Sequence, residues 1–184
     1  MEVVSEKTMD NKLLIVIDMQ NDFVDGALGT AEAQAIVPKV VDCVAHFEGR
    51  IIFTLDTHGE NYLETQEGKN LPVPHCIKGT RGWELIRPLE ELQRSRHAPV
   101  YLKDTFGSFQ LARDLREMHE EQPIEEIRLI GLCTDICVVS NALLLKAALP
   151  QVPICVDSSC CAGVTPESHR AALQTMQSCQ IRVL

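Results

Sequence analysis

The chain of 184 residues is long enough for one α/β domain with a buried core, and its 45% hydrophobic and 23% charged residues are typical of a globular protein. Its net charge of −9 disfavours nucleic-acid binding, because an acidic surface repels phosphates. No apolar run approaches the roughly 20 residues of a membrane span, and residues 1–11 lack the apolar core of a signal peptide, so we expect a cytoplasmic protein that binds neither nucleic acid nor membranes.

The sequence alternates between apolar runs and segments with helical spacing of apolar residues. In chain order the pattern predicts a strand at 12–18, a helix at 31–47, a strand at 50–56, a long loop at 61–78, a helix at 82–93, a strand at 99–102, a helix at 110–120, a strand at 126–132, a helix at 134–148, a strand at 152–156, a helix at 166–178 capped by Thr165, and a strand at 181–184.

Alternating strands and helices predict a parallel sheet with helices on both faces. We therefore expect an α/β fold in which residues 1–184 form a single domain. Its three layers are α/β/α, and its doubly wound, mainly parallel sheet has about six strands. The loop at 61–78 is unusually long for a compact domain, and loops of this length are often functional.

The eight cysteines are expected to be free thiols, because the chain shows no export signal. No pair has the CxxC spacing of a zinc knuckle. Most of the eight are predicted to be small buried hydrophobic residues.

Chemically active residues follow four of the predicted strands. Asp18 ends the first strand, Asp56 ends the second and is followed by His58, Lys103 follows the third, and Cys137 comes shortly after the fourth. Ligands bind outside the carboxyl ends of strands in open parallel sheets, so these side chains are expected to share one site.

Cys137 lies near the start of a predicted helix. Free amides there and a nearby Lys103 would stabilise a thiolate and lower the thiol pKa, and the same amides could hold an oxyanion. Spacing alone leaves open that Cys137 is an ordinary buried helix cysteine.

Several motifs occur in a fixed order along nearly the whole chain: IDMQNDF at 17–23, DTH at 56–58, PHCIKGT at 74–80, KDTF at 103–106, GLCTDICV at 131–138, Asp157, and HRAAL at 169–173. In this order they resemble the isochorismatase-like cysteine hydrolases, and within them the nicotinamidases. The branch that cleaves a vinyl ether lacks the cysteine, so Cys137 favours the amide-cleaving branch.

This resemblance implies a catalytic mechanism. Asp18 takes the proton of Cys137, the thiolate attacks the amide carbon, and a thioester forms and is hydrolysed, while Lys103 orients Asp18. The backbone amides of Cys133 and Cys137 would hold the oxyanion, and the peptide Leu132–Cys133 would be cis.

A divalent metal ion is the second implication. Asp56 and His58 are two residues apart, so both project to one side of an extended segment, and His75 lies in the loop that could close on them. The resemblance adds Glu67 as a third side-chain ligand, ahead of Glu60 or Glu64. Such ligands suit Zn²⁺ best, with Mn²⁺ or Fe²⁺ as alternatives. The competing interpretation is that Asp56 and His58 only order the loop.

Substrate contacts are assigned to Phe23, Leu71 and Phe106, with Phe109 as an alternative to Phe106. Nicotinamidases commonly carry an aromatic residue three positions before the loop histidine, but this chain has Pro72 there. The missing aromatic leaves open another small amide, a ureide or an N-carbamoyl compound as substrate. A non-enzymatic thiol- or metal-binding protein is the less favoured alternative. By analogy with the family, we expect a homo-oligomer.

Overall fold

The structure is a computed structural model that describes residues 11–184. The prediction that residues 1–11 form no signal peptide concerns a segment that lies almost entirely outside the described residues. Its centre is one sheet of six parallel strands in the order β3-β2-β1-β4-β5-β6. The strands are β1 (Lys12–Ile17), β2 (Arg50–Asp56), β3 (Val100–Lys103), β4 (Glu126–Leu132), β5 (Ile154–Ala162) and β6 (Arg182–Val183).

Helices cover both faces of the sheet. They are α1 (Asn21–Val24), α2 (Ala31–His46), α3 (Gln66–Asn70), α4 (Arg87–Ser95), α5 (Phe109–Glu121), α6 (Val139–Ala148) and α7 (Pro166–Ser178). The buried residues of α2 and α4 pack on one face, and those of α5, α6 and α7 pack on the other. The three-layer, doubly wound α/β prediction is therefore confirmed. No helix within residues 11–184 has the length and apolar character needed to cross a membrane.

The central strand β1 shows why its sequence is continuously apolar. Leu14 and Val16 face the α2 layer, whereas Leu13, Ile15 and Ile17 face the α5–α7 layer, and all five are at most 1% exposed. A strand covered on both faces has no solvent side on which polar residues could alternate. Each such side chain contributes about 1.5–3 kcal/mol through burial.

The winding of the sheet reverses between β1 and β4. The crossovers from β1 through β2 to β3 use the α2 face, and those from β3 through β4 and β5 to β6 use the opposite face. The carboxyl ends of the strands on either side of this switch point leave a crevice between the diverging connections. The fold therefore brings the ends of β1, β2, β3 and β4 to one site.

Three predicted elements differ from the structure by five residues or more at one end. Strand β5 was predicted to end at residue 156 but continues to Ala162. Between its pairing with Leu129 and its pairing with Gly131 lies a bulge of polar residues, which interrupts the apolar pattern from which the strand was predicted. The helix predicted at 82–93 begins only at Arg87, because the preceding residues bond back to the segment after β1, as when the Ile86 N–H donates to the Met19 carbonyl.

The third difference lies in the helix predicted at 134–148. Its first part is a π-helical turn, Thr134–Val138, and the α-helix begins at Val139. The loop predicted at 61–78 also contains local structure, namely a 3₁₀ turn at Tyr62–Glu64 and helix α3, whose first turn is capped by the Thr65 hydroxyl.

Candidate active site

Three of the predicted site residues meet at the switch point. Asp18 follows β1 directly, Lys103 is the last residue of β3, and Cys137 lies in the π-helical turn after β4. The Lys103 Nζ lies 2.6 Å from Asp18 Oδ2 and 3.5 Å from Cys137 Sγ. Strand β2 separates β1 from β3, so the long lysine side chain crosses the end of β2 to reach both partners.

This trio is almost fully removed from solvent. Asp18 is 0% exposed, Cys137 4% and Lys103 5%. The Thr54 hydroxyl donates to Asp18 Oδ1 at 2.6 Å, and the Asp18 N–H donates to the Thr54 carbonyl at 3.2 Å. The carboxylate is thus held between a hydroxyl and an ammonium group.

Burial changes the protonation of the trio. Burial raises the pKa of Asp18, and Lys103 offsets part of this effect. Burial also raises the pKa of the Cys137 thiol well above its usual range, and the Asp18 carboxylate raises it further. Lys103 lowers the thiol pKa, as expected, but burial and the Asp18 carboxylate outweigh this effect, so the expected net lowering is wrong. Burial opposes the charge of Lys103, but Asp18 and its neighbours raise the pKa of the lysine, which stays charged.

The turn that carries Cys137 has an irregular hydrogen-bond pattern. The Leu132–Cys133 peptide is cis, in agreement with the resemblance. The Cys133 carbonyl accepts from the N–H groups of Ile136 at 3.1 Å and Val138 at 3.0 Å. Among the backbone bonds found within residues 11–184, this carbonyl takes the amides on either side of Cys137 rather than that of Cys137 itself.

The four predicted metal ligands also converge. One ligand atom from each of Asp56, His58, Glu67 and His75 lies within 4.8 Å of the other three. The Asp56 Oδ2 lies 3.0 Å from His58 Nε2 and 3.5 Å from His75 Nε2, and Glu67 Oε1 lies 3.7 Å from both ring nitrogens. Among the described residues, Glu60 and Glu64 are not part of the cluster.

The chemistry of this donor set fits a cation. The Val73 carbonyl accepts from His75 Nδ1 at 2.8 Å, which leaves Nε2 as the nitrogen that faces the cluster. Two carboxylates face each other across the site, and burial together with Asp56 raises the pKa of Glu67 despite both histidines. A bound divalent ion would neutralise these charges, so the residues present suit a metal.

Asp56 links the metal-type cluster to the trio. Its Oδ1 lies 3.4 Å from Lys103 Nζ, whereas its Oδ2 faces the two histidines. Burial alone would raise the pKa of Asp56, but His58, His75 and Lys103 outweigh burial and hold this pKa well below its usual range. The carboxylate is therefore ionised and serves both groups.

A cavity of about 620 Å³ opens between the two clusters. Phe23, Leu71 and Phe106, the predicted substrate contacts, all line it. The lining residues are Phe23, Leu28, Asp56, Gln66, Glu67, Asn70, Leu71, His75, Asp104, Thr105, Phe106, Cys133, Ile136 and Cys137. Cys137 therefore lies at a ligand-sized cavity, although it also packs in the core beneath α5, α6 and α7.

Sequence reasoning missed the residues that hold these ligands in place. The fully buried Gln20 side chain accepts from the Asp56 N–H and donates to the Asp56 carbonyl, each at 2.8 Å. The Asp22 carboxylate accepts from the N–H of Cys76 at 2.8 Å, next to His75. Both belong to the polar segment after β1. That segment is part of the IDMQNDF motif, but its bonding partners are distant in sequence.

Comparisons with known proteins agree with this geometry. The chain matches the isochorismatase domain over residues 12–184. An isochorismatase family protein of Bacillus subtilis is 34% identical over 171 residues, covering 88% of this chain and 92% of that protein. The crystal structure of a nicotinamidase from Bacillus subtilis matches with a TM-score of 0.80 and 30% identity, covering 94% of this chain and 98% of that one.

The crystal structure of a pyrazinamidase of Pyrococcus horikoshii in complex with zinc matches with a TM-score of 0.76 and 27% identity, covering 95% of this chain and 98% of that one. Because the domain match reaches from β1 to the end of the chain, the protein belongs to the isochorismatase family.

Proposed function

We propose that the protein hydrolyses nicotinamide to nicotinate and ammonia through a thioester on Cys137. Its similarity to nicotinamidases in sequence and structure makes it a hydrolase of carbon–nitrogen amide bonds. The observation that carries the finer proposal is the meeting of a thiol, a carboxylate and an ammonium group beside a cavity that is also lined by Asp56, Glu67 and His75 of the metal-type cluster.

In the first step Asp18 acts as the base. Its buried carboxylate takes the proton from Cys137 Sγ, and the sulfur forms a bond to the amide carbon of the substrate. The raised pKa values of Asp18 and Cys137 support this order, because the thiol keeps its proton until substrate arrives and the carboxylate is a stronger base than a free aspartate. Lys103 stays cationic and holds the carboxylate in place.

The amide oxygen becomes negative as the C–S bond forms. The N–H groups of Cys133 and Cys137 are the proposed donors to it, and the hydrogen-bond pattern of the π-helical turn supports the second of them. When the C–N bond breaks, Asp18 returns its proton to the departing nitrogen and ammonia leaves. Asp18 then takes a proton from water, and the resulting hydroxide attacks the thioester carbon. The C–S bond breaks, and Asp18 returns the proton to the Cys137 sulfur, which restores the thiol and the carboxylate.

Asp56, His58, Glu67 and His75 are the residues that would hold one divalent metal ion, for which zinc is the first choice. A bound ion supplies a Lewis-acid site with room for water or a ring nitrogen. This chain's own contribution is to present Asp56, Glu67 and His75 at the cavity wall, while the contact between Lys103 and Asp56 keeps that wall next to the nucleophile.

The cavity wall supports an aromatic substrate. Phe23 lies against His75, with ring centroids 5.5 Å apart, so a flat ring can pack on Phe23 near the metal-type cluster. Leu71 and Phe106 contribute apolar surface further out, whereas Pro72 is not among the lining residues. Nicotinamidases commonly have an aromatic residue at the position of Pro72, and its absence here is why another small amide is the second candidate.

Ammonia release with purified protein tests the proposal. Nicotinamide should give nicotinate and ammonia in equal amounts, at a higher kcat/KM than a ureide or an N-carbamoyl amino acid. Cys137→Ala is the inactive reference, and Cys179→Ser, which changes an exposed thiol, should behave like the wild type. Turnover of nicotinamide no faster than in Cys137→Ala would reject the proposal, and a preference for the ureide would favour the second candidate. Assembly into a homo-oligomer and a cytoplasmic location stay predictions.

A further inference from the structure

The motif at 169–173 has no part in the reaction proposed above, yet its first residue contacts the catalytic turn. His169 lies in the first part of α7 and is half-buried. A hydrogen bond of 2.8 Å joins its Nδ1 to Thr134 Oγ1. Thr134 is 0% exposed and directly follows Cys133, so His169 reaches the start of the turn that carries Cys137.

A second bond fastens the same turn to the same segment. The Asp135 carboxylate accepts from the Val164 N–H at 3.1 Å, just before α7 begins. Consecutive residues of the turn, Thr134 and Asp135, are therefore both held by residues 164–169, which run from the connection after β5 into the first part of α7. The Asn141 side chain of α6 also supports the turn, because it donates to the Cys137 carbonyl at 2.8 Å. The bonds of Thr134 and Asp135 are the support that the turn receives from the side of α7.

The local structure around His169 is built for close contact. A side chain at Gly163 would place its Cβ 2.9 Å from His169 Cβ, so the glycine lets the chain pass against the histidine. The first turn of α7 is fixed by Thr165 and Ser168, which cap each other's backbone N–H groups. Burial lowers the pKa of His169, which favours the neutral ring that can pair with a hydroxyl. The imidazole is therefore presented on a rigid element.

We propose that His169 is a positioning residue for amide hydrolysis: through Thr134 it fixes the turn that presents the Cys137 thiol and the amides of Cys133 and Cys137. This inference rests on the proposed function. Oxyanion donors act only when they lie about 2.7–3.1 Å from the developing charge, and a misplacement of about 1 Å can cost about 10²-fold in rate. Loss of the bond should therefore lower kcat, while substrate binding at Phe23 and the metal-type cluster persists.

The first experiment compares two substitutions of the same residue. His169→Phe removes the bond and should lower kcat for nicotinamide by about 10- to 100-fold with KM within about twofold of the wild type. His169→Asn offers a polar atom near the position of Nδ1 and should recover most of the loss. Thr175→Ala, which removes a hydroxyl that bonds to the Ala171 carbonyl in the same helix, is the matched control and should not change kcat. An unchanged kcat in His169→Phe, or an equal loss in Thr175→Ala, overturns the inference.

A double substitution tests the route through Thr134. If His169 acts through this hydroxyl, Thr134→Val combined with His169→Phe should lose no more kcat than the more damaging single change. Losses that multiply overturn the inference.

The rate at which iodoacetamide alkylates Cys137, followed by mass spectrometry, needs no substrate turnover. His169→Phe should change this rate several-fold and His169→Asn should restore it. Failure of the wild type to hydrolyse nicotinamide would reject the proposed function but not the role of His169. Equal alkylation rates in the wild type, His169→Phe and His169→Asn would reject the role of His169.

Discussion

The two groups of polar residues at the cavity are assembled in different ways. Asp18, Lys103 and Cys137 all stand at or just beyond strand ends, so the sheet topology alone brings them together. The metal-type cluster takes only Asp56 and His58 from a strand end, and its other half comes from the long loop. The first group depends on the sheet, whereas the second depends on whatever fixes the loop.

The difference extends to solvent and charge. The side chains of the trio are buried and its lysine and aspartate neutralise each other, whereas the Glu67 side chain keeps 23% of its exposure. Asp22 and Tyr62 hold the loop: the former accepts from Cys76 N–H, and the latter donates to the Leu71 carbonyl at 2.9 Å. This contrast suggests that the trio carries the bond-breaking and the cluster carries binding.

The largest effect should follow loss of the nucleophile. Cys137→Ala should lower kcat by about 10⁴-fold or more, because no other residue can form the thioester. Nicotinate should still bind to this variant, since the metal-type cluster is untouched. Stopped assays of ammonia and calorimetric titration with nicotinate measure the two quantities. Retained turnover, or loss of nicotinate binding, would contradict the division of roles between the two groups.

The next effect concerns the buried ion pair of the trio. Asp18→Asn removes the base and should lower kcat by about 10³-fold. Lys103→Met leaves the Asp18 charge buried without its partner, so it should also lower the free energy of unfolding, by about 3–5 kcal/mol.

Combining Asp18→Asn with Lys103→Met should restore much of that stability, since neither charge remains, while kcat falls no further than in Asp18→Asn alone. Chemical denaturation and ammonia release provide the two readouts. Losses of kcat that multiply would show that the residues act separately and would contradict the proposed trio.

Changes in the metal-type cluster should act on binding. Purified protein should carry close to one divalent ion per chain, and His58→Ala and His75→Ala should both lower this content and raise KM for nicotinamide by about 10-fold or more. Cys137 should remain reactive to iodoacetamide after chelation, because its own surroundings are unchanged.

Glu67→Ala should weaken metal binding less than His58→Ala or His75→Ala, since Glu67 is the most exposed of the four ligands. Glu64→Ala is its matched control, because Glu64 lies outside the cluster of described residues. Metal content by mass spectrometry decides the comparison. Protein that holds no metal, and hydrolyses nicotinamide equally well with a chelator, would leave Asp56 and His58 with the lesser role of ordering the loop.

The same contrast explains which parts of the fold and of the site could be predicted from the sequence. Apolar runs predicted all six strands, and the rule that polar residues gather at carboxyl ends predicted the positions of Asp18, Asp56 and Lys103. The thiol pKa was predicted in the wrong direction, because its sign depends on how deeply Cys137 is buried. The roles of Gln20 and Asp22 escaped notice, because their partners lie 36 and 54 residues away and no local pattern records such pairs.

The smallest predicted effect is a shift in the pH dependence of kcat/KM, which tests the role of Asp18 in the trio. Asp18 must be ionised to accept the thiol proton, so kcat/KM should fall as pH drops through its pKa, which burial has raised above the usual range. The Thr54 hydroxyl donates to the ionised carboxylate and lowers that pKa, hence Thr54→Val should raise it further and move the acid limb of the profile to higher pH. The shift should be a few tenths of a unit to about one unit, since one hydrogen bond is worth about 1 kcal/mol. Thr57→Val is the control, because the Thr57 hydroxyl donates to the Leu55 carbonyl instead of Asp18. If Thr54→Val leaves the acid limb in place, that limb reports another group and Asp18 is not the base whose ionisation governs the rate.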